Sequence, residues 1–297
     1  MKVFVTGATG FIGSRIVKEL IQGGHQVIGL TRSDEGAKML TQLGATPYRG
    51  TLDEPESLRA GAAESDGVIH CAFDHDFSKF VANCEKDKAN IKVIADALKG
   101  TNRPLLITSG VGIGSQGPGK PALEDIFDEH HQNPRIASEY AGRAALELGV
   151  NVSVVRLPQV HDTHKQGLIS MLIPHAKEKK VSVYIDEGSN RWSACHVTDV
   201  AHLYKLAFER GEKGARYNAV AEEGVSMRHI AETIGAGLKV PVISMSAKDA
   251  AAHFGWLAMF AGMDLPASSE KTRRVLNWNP TGPDLITDLK NMDYSKI

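Results

Sequence analysis

Lys2 to Val5 reads KVFV, a short run of β-branched and aromatic residues of the kind that makes a buried strand. It leads directly into Thr6-Gly7-Ala8-Thr9-Gly10-Phe11-Ile12-Gly13, whose glycines are spaced G-x-x-G-x-x-G. Ile12, Ile16, Val17, Leu20 and Ile21 then share one helical face, and His25 to Leu30 reads as a second strand. Three glycines by themselves often mark no more than turns. Between a strand and a helix, inside a βαβ unit, they form a cradle for a dinucleotide. Gly7 permits the sharp turn, Gly10 has no Cβ to hold a pyrophosphate away, and Gly13 lets the helix lie close against the strand. The helix N-terminus turns unpaired N–H groups and the positive end of its dipole toward the phosphates.

The second strand runs into Thr31-Arg32-Ser33. An acidic residue there would bond the ribose 2′-OH of NAD, and the first carboxylate is Asp34. Arginine and serine suit a 2′-phosphate, because a guanidinium meets phosphate oxygens in two parallel bonds. The pattern points to NADP, with NAD the less favoured cofactor. A solvated loop arginine, with Asp34 bent back over the ribose, is the plain alternative.

Strand and helix signals alternate onward: helices over Asp34 to Leu43 and Pro55 to Ala63, a strand near Thr46 to Arg49, a strand over Gly67 to Phe73, a long helix from Phe77 to Lys99 and a strand from Pro104 to Gly110. Such alternation calls for an α/β fold, a parallel sheet with right-handed crossovers over both faces. Val111 to Asn133 breaks the pattern with glycines and prolines and reads as a binding lid or a mobile loop. A helix over Arg135 to Leu148 and a strand over Val152 to Leu157, ended by Pro158, follow. Beyond these come short strands at Val181 to Ile185 and Arg216 to Ala219. Helices are expected over Leu168 to Lys179, Val197 to Glu209, Met227 to Leu238, Lys248 to Phe260 and Ser269 to Leu276. Residues 1–160 are expected to form the dinucleotide-binding domain, with about 181–221 returning to it. Residues 161–297 are expected to be mainly an interleaved substrate lobe.

A net charge of −1 offers no basic field to nucleic acid or to an anionic membrane surface. Three scattered cysteines fit neither a disulfide framework nor a zinc site. No apolar run is long enough to span a bilayer, and the first strand begins at Lys2. A cytoplasmic protein with a small-molecule substrate is expected.

Several motifs in order, TGATGFIG at Thr6 to Gly13, the turn before Asp53, ITSG at Ile107 to Gly110, RLPQVH at Arg156 to His161 and RWSACHVTDVA at Arg191 to Ala201, together resemble one family. It is the short-chain dehydrogenase/reductase superfamily, in its extended and atypical branch of NAD-dependent epimerase/dehydratase-like proteins. The resemblance implies a Rossmann doubly wound sheet of seven parallel strands, an NAD(P) cofactor and a smaller C-terminal substrate lobe. It implies cofactor contacts by Gly7, Thr9, Gly10, Phe11, Ile12, Gly13, Thr31, Arg32, Ser33, Thr51, Leu52, Cys71, Ala72, Phe73, Thr108, Pro158 and Val160. Ser109, Gly110, Val111, His161, Arg191 and Trp192 would face substrate. The helices Phe77 to Lys99 and Arg135 to Leu148 would pair with their symmetry mates in a homodimer.

Chemistry in that family rests on a Tyr-x-x-x-Lys pair with a serine or threonine after the fifth strand. Ser109 stands in the latter place, but the helix puts Arg135 where the tyrosine belongs and Glu139 where the lysine belongs. Tyr140 is no substitute in that register, since five residues turn a helix by about 500° and leave the two about 140° apart. Arg135 and Glu139 then read either as an i,i+4 ion pair on a solvated face or as groups over the nicotinamide. In the second reading Glu139 bonds the ribose hydroxyls and Arg135 polarises a substrate oxygen. His75, between Asp74 and Asp76, is a further proton-transfer candidate; Asp76 as a helix cap with His75 packed beside it is the plain alternative. His161 and His164 are three apart but lack a third ligand, so no metal is expected. Asp199 reads as a helix cap. Phe254, Trp256, Met259 and Phe260 fall on a helix that lines an apolar pocket or simply belongs to the core. The expected activity is an NADP-dependent oxidoreductase of the carbonyl reductase or alcohol dehydrogenase type. A dinucleotide-binding sensor without turnover, and a cofactor-assisted isomerase, epimerase or dehydratase, are the alternatives.

Overall fold

The computed structural model describes residues 1–297, apart from the side chain of Met259. The first half alternates as the pattern requires: β1 (Lys2–Thr6), α1 (Phe11–Gln22), β2 (Gln26–Thr31), α2 (Asp34–Gln42), β3 (Thr46–Arg49), α3 (Pro55–Ala63), β4 (Gly67–His70), α4 (Phe80–Leu98), β5 (Pro104–Gly110), α5 (Ile136–Glu147) and β6 (Asn151–Leu157). Then follow β7 (Gln159–His161), α6 (Ile169–Lys179), β8 (Ser182–Ile185), β9 (Arg191–His196), α7 (Val197–Arg210) and β10 (Arg216–Asn218). The chain ends with β11 (Glu222–Ser226), α8 (Met227–Leu238), β12 (Val242–Met245), α9 (Ala247–Phe254), α10 (Ala258–Ala261), α11 (Glu270–Leu276) and α12 (Leu285–Asn291).

Seven strands form one sheet in the order β10-β6-β5-β4-β1-β2-β3, and every pairing in it is parallel. Side chains alternate across a strand, so β1 sends Val3 and Val5 to one face and Phe4 to the other. The first pair packs with Ile16, Val17 and Leu20 of α1 and Val200, Leu203 and Tyr204 of α7. Phe4 packs with Leu58 of α3, Ile91, Ile94 and Leu98 of α4 and Ala141 of α5. The fold is thus an α/β sandwich, doubly wound around a parallel sheet, as read from the sequence. A separate core built on Ile169, Ile173, Trp192, Ile230, Ile234 and Leu289 defines the smaller lobe.

The later elements depart from the expectations. Of the segment 181–221, only α7 and β10 join the large sheet. β8 pairs with β12, and β9 is the centre of a three-stranded sheet with β7 and β11. The expected helix over Lys248 to Phe260 is broken at Gly255, whose φ of +56° is left-handed. Val111 to Asn133 is neither a lid nor loose. Ala122 N–H donates to Pro266 O at 2.8 Å, and the buried Glu124 carboxylate accepts from the N–H and hydroxyl of Thr272 at 2.9 and 2.7 Å. Polar groups tied down this way cannot swing over a crevice. Asp199 is not a cap either: it accepts from the N–H groups of Thr281 and Gly282, while the His196 ring caps α7.

Candidate active site

A crevice of about 780 Å³ runs along the carboxyl ends of the parallel strands and under the smaller lobe. Its floor is the glycine turn. Gly7 has a φ of +68°, and a Cβ there would lie 2.8 Å from Ala72 N. A Cβ on Gly13 would lie 2.0 Å from the Gly7 carbonyl oxygen, so only glycine allows α1 to start this close to β1. Gly10 is the N-cap of α1, with no side chain capping it and no carboxylate in the first turn. The first-turn N–H groups therefore remain for a ligand, which is the geometry a pyrophosphate requires. Thr9, Gly10, Phe11, Ile12 and Gly13 all line the crevice, as do Thr51, Leu52, Cys71, Ala72, Phe73, Pro158 and Val160. The Cys71 thiol donates to Thr6 O at 3.0 Å, and burial pushes it up to about 12, so it is wall and not nucleophile.

At the far end Thr31 and Arg32 line the crevice, and Arg32 has no ion-pair partner among the described residues. The nearby carboxylates are already engaged: Asp34 pairs with Arg49, and Asp53 pairs with Lys86 at 2.8 Å. Two cofactor expectations need correction. The Ser33 hydroxyl accepts from Gly36 N–H at 3.0 Å and caps α2, so the side chain does not face the crevice. The Thr108 hydroxyl is buried between His70 O at 2.9 Å and the Tyr204 hydroxyl at 2.7 Å.

Beyond the glycine turn, Ser109, Gly110, Val111, Asn133, Arg135 and Trp192 form the wall where β5 and α5 meet the lobe. The Ser109 Oγ is buried and has no hydrogen-bond partner among the described residues. An orphan hydroxyl in a crevice wall is a donor awaiting a ligand oxygen. Arg135 stands beside it. Its guanidinium lies 4.1 Å from the centre of the Phe73 ring, donates to Thr108 O at 3.1 Å and to Asp87 at 2.5 Å, and also contacts the Ser138 hydroxyl. Asp87 accepts further bonds from Ser138 at 2.6 Å and His70 at 3.1 Å, and Thr6 bonds the other ring nitrogen of His70 at 2.8 Å. Burial pushes the Asp87 carboxyl up, but the Arg135 cation and the His70 and Ser138 donors outweigh it and hold the carboxyl below the usual range. His75 sits on the rim against Phe73 and Phe77. Desolvation and the Lys165 cation hold its ring below the ordinary histidine value.

The network of Asp87, His70 and Ser138 was not anticipated. A signal existed: Asp87 falls on the apolar stripe of α4 with Cys84, Ile91 and Ile94, where a carboxylate needs a partner. Lys86 and Lys165, also in the wall, carried no such signal.

Four other expectations are corrected. Glu139 does not reach the crevice and forms neither of the arrangements expected for it. Its carboxylate is 1% exposed and accepts from Arg156 at 2.7 and 2.8 Å and from Arg216 at 3.0 Å. The buried guanidinium of Arg156 on β6 fixes it there. Tyr140 is 37% exposed, packs on Phe127 and donates to Glu129 O on the outer side of α5. His161 is buried away from the crevice, with its Nδ1 2.7 Å from Asp288, and burial lowers its pKa. Arg191 turns from the crevice to pair with Asp264 at 2.9 Å, because the strand periodicity that points Trp192 inward points Arg191 outward. On the lobe side Phe260 lines the crevice, Phe254 is core, and Trp256 is exposed. The Met259 side chain lies outside the described residues.

A model of the NAD dependent epimerase/dehydratase family matches residues 3–220. The chain belongs to that family. Members bind NAD(P), and the glycine cradle and bare helix N-terminus fit such a cofactor. Over 295 residues the chain is 45% identical to an uncharacterized protein of Schizosaccharomyces pombe, covering 99% of this chain and 100% of that one. It is 30% identical over 287 residues to the 4-hydroxy-2-methyl-3-oxo-4-farnesyl-3,4-dihydroquinoline-1-oxide ketoreductase of Stigmatella aurantiaca, covering 90% of this chain and 84% of that one. Among solved structures, a dTDP-glucose 4,6-dehydratase from Streptomyces venezuelae with NAD bound superposes with a TM-score of 0.77. At 16% identity, over 98% of this chain and 95% of that one, it shares the fold alone.

Proposed function

We propose that this family member is an NADP-dependent oxidoreductase that interconverts a carbonyl compound and its alcohol in the crevice. The observation that carries the reading is the orphan Ser109 hydroxyl beside the Arg135 guanidinium: a donor and a cation where negative charge on a carbonyl oxygen would develop. The printed activity of the Stigmatella aurantiaca relative, a ketoreductase, agrees with it.

NADPH, held by the glycine cradle and Arg32, would supply the hydride for the carbonyl carbon. The protein supplies the rest. Ser109 donates a hydrogen bond to the oxygen, and Arg135, held by Asp87, stabilises its growing charge. Arginine does not surrender a proton, and desolvation and the Lys165 cation disfavour the protonated form of His75. The proton for reduction is then drawn from solvent through the Ser109 hydroxyl, and in the alcohol-oxidising direction it leaves by the same route.

Preference for NADP rests on the unpaired Arg32 and on the engagement of Asp34 and Asp53 elsewhere. Titration with both reduced cofactors is expected to show tighter NADPH binding, with Arg32→Ala removing most of the difference; an NADH preference would contradict it. A sensor without turnover is the second reading, favoured by a crevice wall that holds no tyrosine among the described residues. Consumption of NADPH with any carbonyl of a broad panel decides between the two.

A further inference from the structure

The two halves of the crevice differ in chemistry. Toward the glycine turn it offers backbone N–H groups, Arg32, Lys86 and Lys165, whose ammonium lies 5.8 Å from the Phe11 ring centre and so sits over the start of α1. Beyond Ser109 the wall is mainly apolar, with Phe73, Phe77, Phe80, Trp192, Phe260 and Leu265 beside the polar Asn133 and Ser193. Two cations approach these rings: Arg135, engaged by Asp87 and stacked on Phe73, and Lys165, which acts on the His75 ring beside Phe73 and Phe77.

The rings are also connected. Phe73 meets Phe80 edge-on at 6.2 Å, Phe80 lies 5.5 Å from Phe77, and Phe77 stacks on Trp256 at 5.7 Å with 23° between planes. Phe260 closes the group against Phe77 at 6.2 Å and Trp256 at 6.1 Å. The series begins just after β4 and ends on the lobe, and four of its rings, Phe73, Phe77, Phe80 and Phe260, line the crevice. Trp256 is 54% exposed, an indole face left in water at the entrance.

We infer that the substrate is an uncharged aromatic carbonyl compound, stacked among Phe77, Phe80 and Phe260 with its oxygen on Ser109. The inference rests on the carbonyl-reductase reading of the same crevice. A phosphorylated sugar would bring its charges against the faces of Phe77, Phe80 and Phe260, and burying a charge against apolar rings is disfavoured. An aromatic ring meets its like in the edge-on and offset contacts these rings already make. One orphan hydroxyl matches one ligand oxygen. A crevice of about 780 Å³ that also holds the dinucleotide leaves room for a compound of one or two rings.

The test uses the full chain saturated with NADP+, titrated by calorimetry with acetophenone, with cyclohexyl methyl ketone and with UDP-glucose. Acetophenone is expected to bind about twofold to tenfold more tightly than its saturated counterpart, the span expected of aromatic pairing. Phe77→Ala should remove that advantage while NADP+ affinity stays within about twofold. Trp256→Ala, at an exposed position that does not threaten folding, should weaken acetophenone less. Tighter binding of UDP-glucose, equal binding of the two ketones, or an unchanged preference in Phe77→Ala would each overturn the inference. NADPH consumption is read separately. Selective ketone binding without consumption refutes the reductase reading and leaves the aromatic site standing, and turnover without aromatic selectivity does the reverse.

Discussion

Two buried guanidinium–carboxylate clusters flank α5, and they differ in what they leave open. Before the helix, Arg135 pairs with Asp87, and its side chain still lines the crevice. One turn later, Glu139 is surrounded by Arg156 and Arg216, with the Arg216 guanidinium lying 5.0 Å from the Phe127 ring centre and nothing facing a ligand. Both clusters are paired and largely buried, so neither property alone marks a functional site. What marks one is an unused direction that points into a cavity. Arg135 belongs to the site, and Glu139 is a strut between α5 and the edge of the sheet.

The comparison breaks most easily at the strut. Glu139→Ala leaves the Arg156 charge buried without its partner, and a loss of about 3–5 kcal/mol in denaturant unfolding is expected. Folded Glu139→Ala should still bind NADPH normally; loss of binding without loss of stability would return Glu139 to the site. Arg135→Lys keeps the charge but loses the fork that spans Asp87 and the Thr108 carbonyl, and turnover is expected to fall by about 10². Tyr140→Phe, outside the crevice, should change turnover by less than about twofold, within the effect of a remote surface change.

Acid sharpens the contrast further. Asp87 has a folded pKa below that of the unfolded chain, so its contribution to stability is fully present above about pH 4. That contribution is lost as pH falls through the lower folded value. Asp87→Asn should be less stable at neutral pH and should show a flatter loss of stability below about pH 4 than the parent; parallel acid limbs would deny the pair its role. The smallest effect concerns assembly. We propose a two-fold dimer across the outer faces of α4 and α5, where Val81 is 63% exposed. A monomer mass by light scattering at micromolar concentration would contradict it.

The βαβ cradle was legible because its signals are local: apolar period, glycine spacing and the Thr31-Arg32-Ser33 turn lie within one short stretch. Ser33 was misread because a helix cap and a phosphate contact ask for the same hydroxyl. The Glu139 strut left a trace that was missed, an arginine inside the apolar run Asn151–Leu157, since a charge in a buried strand must find its opposite. The segment after Val111 and the fate of His161 were not legible at all. Glu124 meets Thr272 and His161 meets Asp288 across 148 and 127 residues, and no local pattern carries such pairings.

Ser109 gives the most direct test of the site. Its hydroxyl has no partner among the described residues, so Ser109→Ala should leave unfolding free energy within about 0.5 kcal/mol of the parent. In a single turnover of enzyme-bound NADPH with a carbonyl substrate, the same variant should transfer hydride about 10² to 10³ times more slowly, with cofactor affinity unchanged. An unaltered hydride-transfer rate in a stable, NADPH-bound Ser109→Ala protein would contradict the account.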